Sequence, residues 1–180
     1  IRHTEMKTSR VAACAKPFPG LGAARLDPHL TMPTVNRAKS RIMSEDLVPC
    51  RAAIDAGVAA VMTSHTIYRD IDPDQPATLS ASILTGILRR DLDYQGLVIT
   101  DDLEMGAIEN EMTVAEAALT SFQAGADLLL ICHDHDKIQA TISLFNDALR
   151  DGRLSRPQIE EAVARINKVR NNFPIEEHLP

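Results

Sequence analysis

The apolar residues of this chain fall into short unbroken runs separated by amphipathic stretches. Runs at about 11–15, 58–63, 97–100 and 127–132 predict four strands. None alternates apolar with polar, which is the pattern of strands buried on both faces, as in parallel sheets covered by helices. Between them the period changes to that of helices. Pro49 suits a first helical turn and Gly57 a C-terminal cap. Ser80 can cap a helix whose inner face is Ile83, Leu84, Ile87 and Leu88. Thr113-Val114-Ala115-Glu116 has capping-box spacing, and Gly125 ends that helix. Ile138, Ile142, Phe145 and Leu149 mark a further inner face. Ser155 caps a last helix with Ile159, Val163 and Ile166 inward. Two polar stretches read as long loops: one from Lys16-Pro17-Phe18-Pro19-Gly20-Leu21-Gly22 to about Ser40, the other from Ser64 to Pro76. Strands recurring at intervals of roughly 30–45 residues match repeated βα units.

Composition narrows the function. The chain has 180 residues, a formal charge of −6 and 44% hydrophobic residues, so a sizeable core is expected and wholesale disorder is not. The acidic balance argues against nucleic acid or an anionic membrane as main partner. Trp is absent, with four Phe and two Tyr, which disfavours an aromatic groove for single strands or long polysaccharides. Three Cys fit a reducing, cytoplasmic setting better than a disulfide scaffold, and they lie in or beside apolar segments, where buried inert thiols are expected. No apolar run approaches the roughly 20 residues of a membrane span. The chain starts at Ile1 rather than Met, which suggests that an N-terminal portion is missing.

In parallel α/β folds ligands bind beyond the carboxyl ends of the strands. Here those ends carry Lys16, then His65 with Tyr68, then Asp101 and Asp102, then His133 and Asp134. Asp101 directly follows a β-branched strand, a rigid mount for a nucleophile or base. Adjacent residues leaving a strand point in different directions, so Asp102 is read as a cap on the next turn. Asp27-Pro28-His29 sets a carboxylate two residues from an imidazole, close enough in extended chain to orient the ring and favour its protonated form. His133-Asp134-His135-Asp136 lacks the helical spacing of a metal site and reads as a strand end running into a helix start, with Asp136 near the cap.

Taken together these segments resemble glycoside hydrolase family 3, in its bacterial β-N-acetylglucosaminidase (β-hexosaminidase) type. The resemblance rests on the Lys16–Gly22 loop, Asp27-Pro28-His29 with Pro33 after it, Val61-Met62-Thr63-Ser64-His65, Pro76-Ala77-Thr78-Leu79-Ser80, Ala124-Gly125-Ala126-Asp127 and, most specifically, Gly96-Leu97-Val98-Ile99-Thr100-Asp101-Asp102-Leu103-Glu104-Met105. It covers nearly the whole chain. It implies an α/β fold that is part of a (β/α)8 TIM barrel, about four parallel βα units, with the N-terminal units absent. It implies a retaining, exo-acting glycosidase for terminal β-linked N-acetylglucosamine, acting in peptidoglycan recycling on cell-wall fragments, with a small carbohydrate as substrate and neither cofactor nor metal. By that resemblance Asp101 is the nucleophile, His29 the general acid/base, Asp27 its dyad partner, Lys16 a sugar-hydroxyl ligand and His65 a residue lining the same pocket.

Two departures bear on this reading. Pro17 stands where the family has a substrate-binding His, and an unpaired sugar hydroxyl in a desolvated pocket costs about 1–3 kcal/mol, so weaker binding is expected. A barrel of this type runs to about 250 residues, so a four-strand portion leaves open edges and an uncovered inner face. Such a half-barrel is expected to be unstable alone, to form a homodimer, or to belong with a missing N-terminal half. The rival reading is a non-catalytic or truncated remnant that binds carbohydrate or serves as a scaffold. A third is an unrelated metal-dependent hydrolase using Asp101 and Asp102.

Overall fold

The computed structural model describes residues 11–20 and 32–174. Among them the strands β1 (Cys14–Phe18), β3 (Ala60–Thr63), β6 (Leu97–Asp102) and β7 (Leu128–Leu130) form one sheet in the order β1-β3-β6-β7. All three pairings are parallel. Intervening helices are α1 (Val48–Asp55), α2 (Ser82–Asp91), α3 (Gly106–Glu109), α4 (Val114–Ala124), α5 (His135–Arg150) and α6 (Arg156–Asn172). A short helical stretch, Lys39–Arg41 and then Ile42–Asp46, leads into α1. This is the α/β architecture of a partial barrel.

Register sorts the two faces of the sheet. Ala15, Val61 and Val98 are lateral neighbours and pack in or against the main core with Ile83, Leu84, Ile87 and Leu88 of α2. Each fully buried Leu or Ile there contributes about 1.5–3 kcal/mol. Met62, Ile99 and Leu128 are lateral neighbours on the opposite face, stay half-buried and belong to none of the hydrophobic clusters found among the described residues. Asp101, two residues beyond Ile99, emerges on that open face.

The predicted helix signals do the work expected of them. Ile83 N–H donates to Ser80 Oγ at 3.2 Å. Thr113 with Glu116, and Ser155 with Gln158, form complete capping boxes. Pro49 sits in the first turn of α1, and Gly57 takes the left-handed conformation just past its end. A buried carboxylate ties the layers together. Asp127 accepts from Arg89 of α2 at 2.6 Å, Arg165 of α6 at 2.8 Å and the Val98 amide at 2.8 Å.

Several expectations need correction. The first strand begins at Cys14 and runs through Pro17 to Phe18. It is an edge strand of this sheet, so a proline without an N–H is tolerated there. The stretch 64–76 is no simple loop: β4 (Ile67–Tyr68) and β5 (Asp72–Pro76) pair antiparallel, and β2 (Thr34–Val35) joins β4 to complete a small second sheet. Ile142 and Val163 are 51% and 45% exposed, because α5 buries Thr141 and Ala148 and α6 buries Ala162 instead. Cys50 is buried, but Cys14 and Cys132 are exposed, on the edge strand and beyond the end of β7.

Candidate active site

The carboxyl end of β6 is the centre of the site. Asp101 Oδ1 accepts from Lys16 Nζ of β1 at 2.9 Å and from the Asp102 amide at 3.1 Å. The Asp101 side chain is 19% exposed, so its carboxylate is fixed yet reachable from solvent. Asp102 turns away from this pair. Its Oδ1 accepts from the Glu104 amide and its carbonyl from the Met105 amide, which makes it the cap of the following turn. Lys16 and Asp101 are thus brought together across the intervening β3. Asp27 and His29 lie outside the described residues.

His65 is placed beneath the site rather than along its wall. The side chain is buried and both ring nitrogens are engaged. Nε2 lies 2.8 Å from the Asp102 carbonyl and Nδ1 lies 2.9 Å from Thr78 Oγ1. Thr78 Oγ1 also lies 2.7 Å from Thr63 Oγ1 and 3.0 Å from the Ser64 carbonyl. Burial pushes the His65 imidazole below its ordinary value, against the pull of the Asp102 carbonyl and of the Asp101 and Asp102 charges. Tyr68, also buried, donates its hydroxyl to the Gly20 carbonyl and so tethers the chain leaving β1.

Glu104 is a site residue that sequence reasoning passed over. Its carboxylate accepts the amides of Cys132 at 2.7 Å, His133 at 2.6 Å and Asp134 at 3.0 Å, pinning the turn between β7 and α5 beside β6. Burial opposes ionisation, but these amides and Lys137 outweigh it and hold the group at about 2. Nothing in one residue's neighbours along the chain announces such a contact, because its amide donors lie some thirty positions away.

His133 Nδ1 lies 3.3 Å from Asp102 Oδ2 and 3.3 Å from Glu104 Oε2. These three side chains form the one group among the described residues with metal-ligand composition and proximity. Glu104 Oε2 already accepts two amides, however, which leaves it poorly placed to ligate. A cavity of about 550 Å³ is lined by Gly57, Tyr94, Gly96 and Lys168 at the opposite, amino end of the strands, away from Asp101.

A parallel βα sheet flanked by helices, with a lysine-paired carboxylate at one strand's carboxyl end, defines a class of α/β domain. Comparison with known proteins is specific about which. The family model described as "Glycosyl hydrolase family 3 N terminal domain" matches residues 3–169. The chain is 34% identical over 161 residues to a beta-hexosaminidase of Neisseria gonorrhoeae (strain NCCP11945), covering 89% of this chain and 42% of that protein. It is 36% identical over 153 residues to a beta-hexosaminidase of Alkalilimnicola ehrlichii, covering 84% of this chain and 44% of that protein. Among solved structures, the glycoside hydrolase family 3 beta-N-acetylglucosaminidase from Paenibacillus sp. str. FPU-7 superposes with a TM-score of 0.94 at 36% identity, over 98% of this chain and 34% of that one. The chain therefore belongs to glycosyl hydrolase family 3. It spans less than half the length of these relatives.

Proposed function

We propose that this chain carries the nucleophile side of a retaining, exo-acting β-N-acetylglucosaminidase. The observation that carries the reading is the Lys16–Asp101 pair at the strand ends. In the first step an Asp101 oxygen bonds to the anomeric carbon as the glycosidic C–O bond breaks, and His29 gives its proton to the departing oxygen. In the second step water attacks the same carbon, His29 takes a proton from it, and the Asp101 carboxylate is released with net retention. Asp27 orients the His29 ring. An imidazole titrates near 6.5 before perturbation, so it can exchange a proton near neutral pH and adds no second negative charge beside Asp101. Lys16 donates to Asp101 in the resting chain and is positioned to donate to a sugar hydroxyl beside it.

The similarity to beta-hexosaminidases supports a terminal β-linked N-acetylglucosamine as the substrate, and turnover of cell-wall fragments as the setting. A cytoplasmic location draws support from three free thiols, two of them exposed. No helix among the described residues is long and apolar enough to cross a membrane. The open face bearing Met62, Ile99 and Leu128 is covered either by further βα units of the same protein or by a second copy.

A second reading, a non-catalytic half-barrel that binds carbohydrate or serves as a scaffold, draws support from Pro17 and from coverage of under half of each relative. Release of a chromogenic leaving group from a β-N-acetylglucosaminide separates the two. Release by the native chain, with at least a hundredfold loss in Asp101→Asn, supports the glycosidase. A folded chain with no release, or one indifferent to Asp101→Asn, sinks it.

A further inference from the structure

The buried His65 has no role in the chemistry above, yet both its ring nitrogens are hydrogen-bonded. A carbonyl can only accept, so the 2.8 Å contact to Asp102 requires a proton on Nε2. A neutral ring then leaves Nδ1 as an acceptor, and Thr78 Oγ1 at 2.9 Å donates to it in preference to its other acceptor, the Ser64 carbonyl at 3.0 Å. Thr78 has one hydroxyl proton, so its oxygen accepts from Thr63 Oγ1 at 2.7 Å. The Ser64 carbonyl is not orphaned by this assignment, because the Thr78 amide donates to it at 3.1 Å. The result is one directed chain: Thr63 hydroxyl to Thr78 hydroxyl, Thr78 hydroxyl to His65 Nδ1, His65 Nε2–H to the Asp102 carbonyl. Every member is buried except its last acceptor, which belongs to the residue following Asp101.

That last acceptor matters because Asp102 works in two directions. Its amide donates to Asp101 Oδ1, and its carbonyl receives His65. The peptide unit on each side of Asp102 is therefore fixed by one end of this arrangement. We propose that His65 is a positioning residue: from the end of β3 it clamps the main chain at the end of β6, and so sets the direction in which Asp101 presents its carboxylate. The proposal rests on the reading of Asp101 as the nucleophile, and it gives Thr78 a defined task, fixing the His65 tautomer.

The test compares His65→Leu, His65→Gln and Thr78→Val with the native chain, each checked for folding by thermal melt. Hydrogen exchange is read at the Asp102 amide, which reports the Asp101 contact without any need for turnover. In His65→Leu that amide exchanges at least tenfold faster, while His65→Gln, which keeps a donor near the Nε2 position, restores most of the protection. Nitrogen-15 spectra of the native ring show the Nε2–H tautomer, and Thr78→Val loses its dominance. With a chromogenic β-N-acetylglucosaminide, His65→Leu lowers kcat at least tenfold with KM changed less than twofold. Unchanged Asp102 exchange in a folded His65→Leu chain, an Nδ1–H tautomer, or a loss confined to KM overturns the proposal. If Asp101→Asn leaves turnover intact, the glycosidase reading falls instead, and the exchange result still decides whether His65 holds the strand end.

Discussion

Lys16 Nζ and Asp101 Oδ1 stand 2.9 Å apart across an intervening strand, although 85 residues separate them in sequence. The lysine is half-exposed and the carboxylate mostly covered. A charge-assisted hydrogen bond of this kind is worth about 1.5–3 kcal/mol. Replacing Lys16 with Met, which keeps the stem and removes the donor, should lower kcat/KM on a chromogenic β-N-acetylglucosaminide by about tenfold to hundredfold. Steady-state kinetics on the folded variant checks this, and an unchanged kcat/KM would remove Lys16 from the site.

Asp127 has no exposed side-chain surface and serves two arginines and one amide at once. Truncating it takes away the partner that Arg89 and Arg165 share, and leaves Arg165 only the exposed Glu161 at 3.8 Å. Breaking a buried pair in this way costs about 3–5 kcal/mol. Asp127→Ala should therefore lower the unfolding free energy by an amount of that order in urea titrations, whereas Glu161→Ala, on the exposed side of Arg165, should change it by well under about 1 kcal/mol.

Glu104 gives a pH dependence with a definite sign. Its folded value, about 2, lies below the 4.5 of a free glutamate. A depressed carboxylate stabilises the native state fully above its unfolded value, and that contribution fades as pH falls from about 4.5 toward about 2. The melting temperature of Glu104→Gln should thus lie furthest below that of the native chain above pH 5. The gap should narrow steadily on acidification. A constant gap across this range would show that the carboxylate's charge contributes nothing.

Gly96 opens β6 where no side chain fits. A Cβ there would meet the Tyr94 hydroxyl at 2.3 Å and the Ala59 carbonyl at 2.8 Å. The Ala59 oxygen is held by the Leu97 amide, so it cannot move aside without loosening β3 from β6. Gly96→Ala should destabilise the chain by about 1–3 kcal/mol, measured by denaturant unfolding.

The parts of this structure legible in the sequence are those set by local rules. Continuous apolar runs located all four strands of the main sheet, because such runs have few other ways to be buried. Ser80, Thr113 and Ser155 marked helix starts because capping joins residues three positions apart. The small second sheet escaped notice because Asp72-Pro73-Asp74 carries none of the apolar or β-branched signal of a strand. Ile142 and Val163 matched helical spacing, but spacing cannot say which of two candidate faces meets a neighbour. In the candidate site, Asp101 and Lys16 were singled out because strand ends are predictable places. The clamp from His65 to Asp102 was not, because its acceptor is a main-chain carbonyl, identical at every residue and selected only by tertiary placement.

The two ends of the main sheet are not equivalent. On β1 the carbonyls of Ala13 and Phe18 bond inward to β3, and Pro17 brings no donor to the strand. β7 is three leucines, each retaining its N–H and only half-covered. Any further strand, whether from elsewhere in the same protein or from a neighbour, meets no proline at β7, although the Leu130 amide is already given to Thr100 Oγ1, whereas at β1 it meets Pro17, which has no donor to offer. Growth of this sheet has a preferred direction, and stray self-association during refolding should begin at the leucine edge.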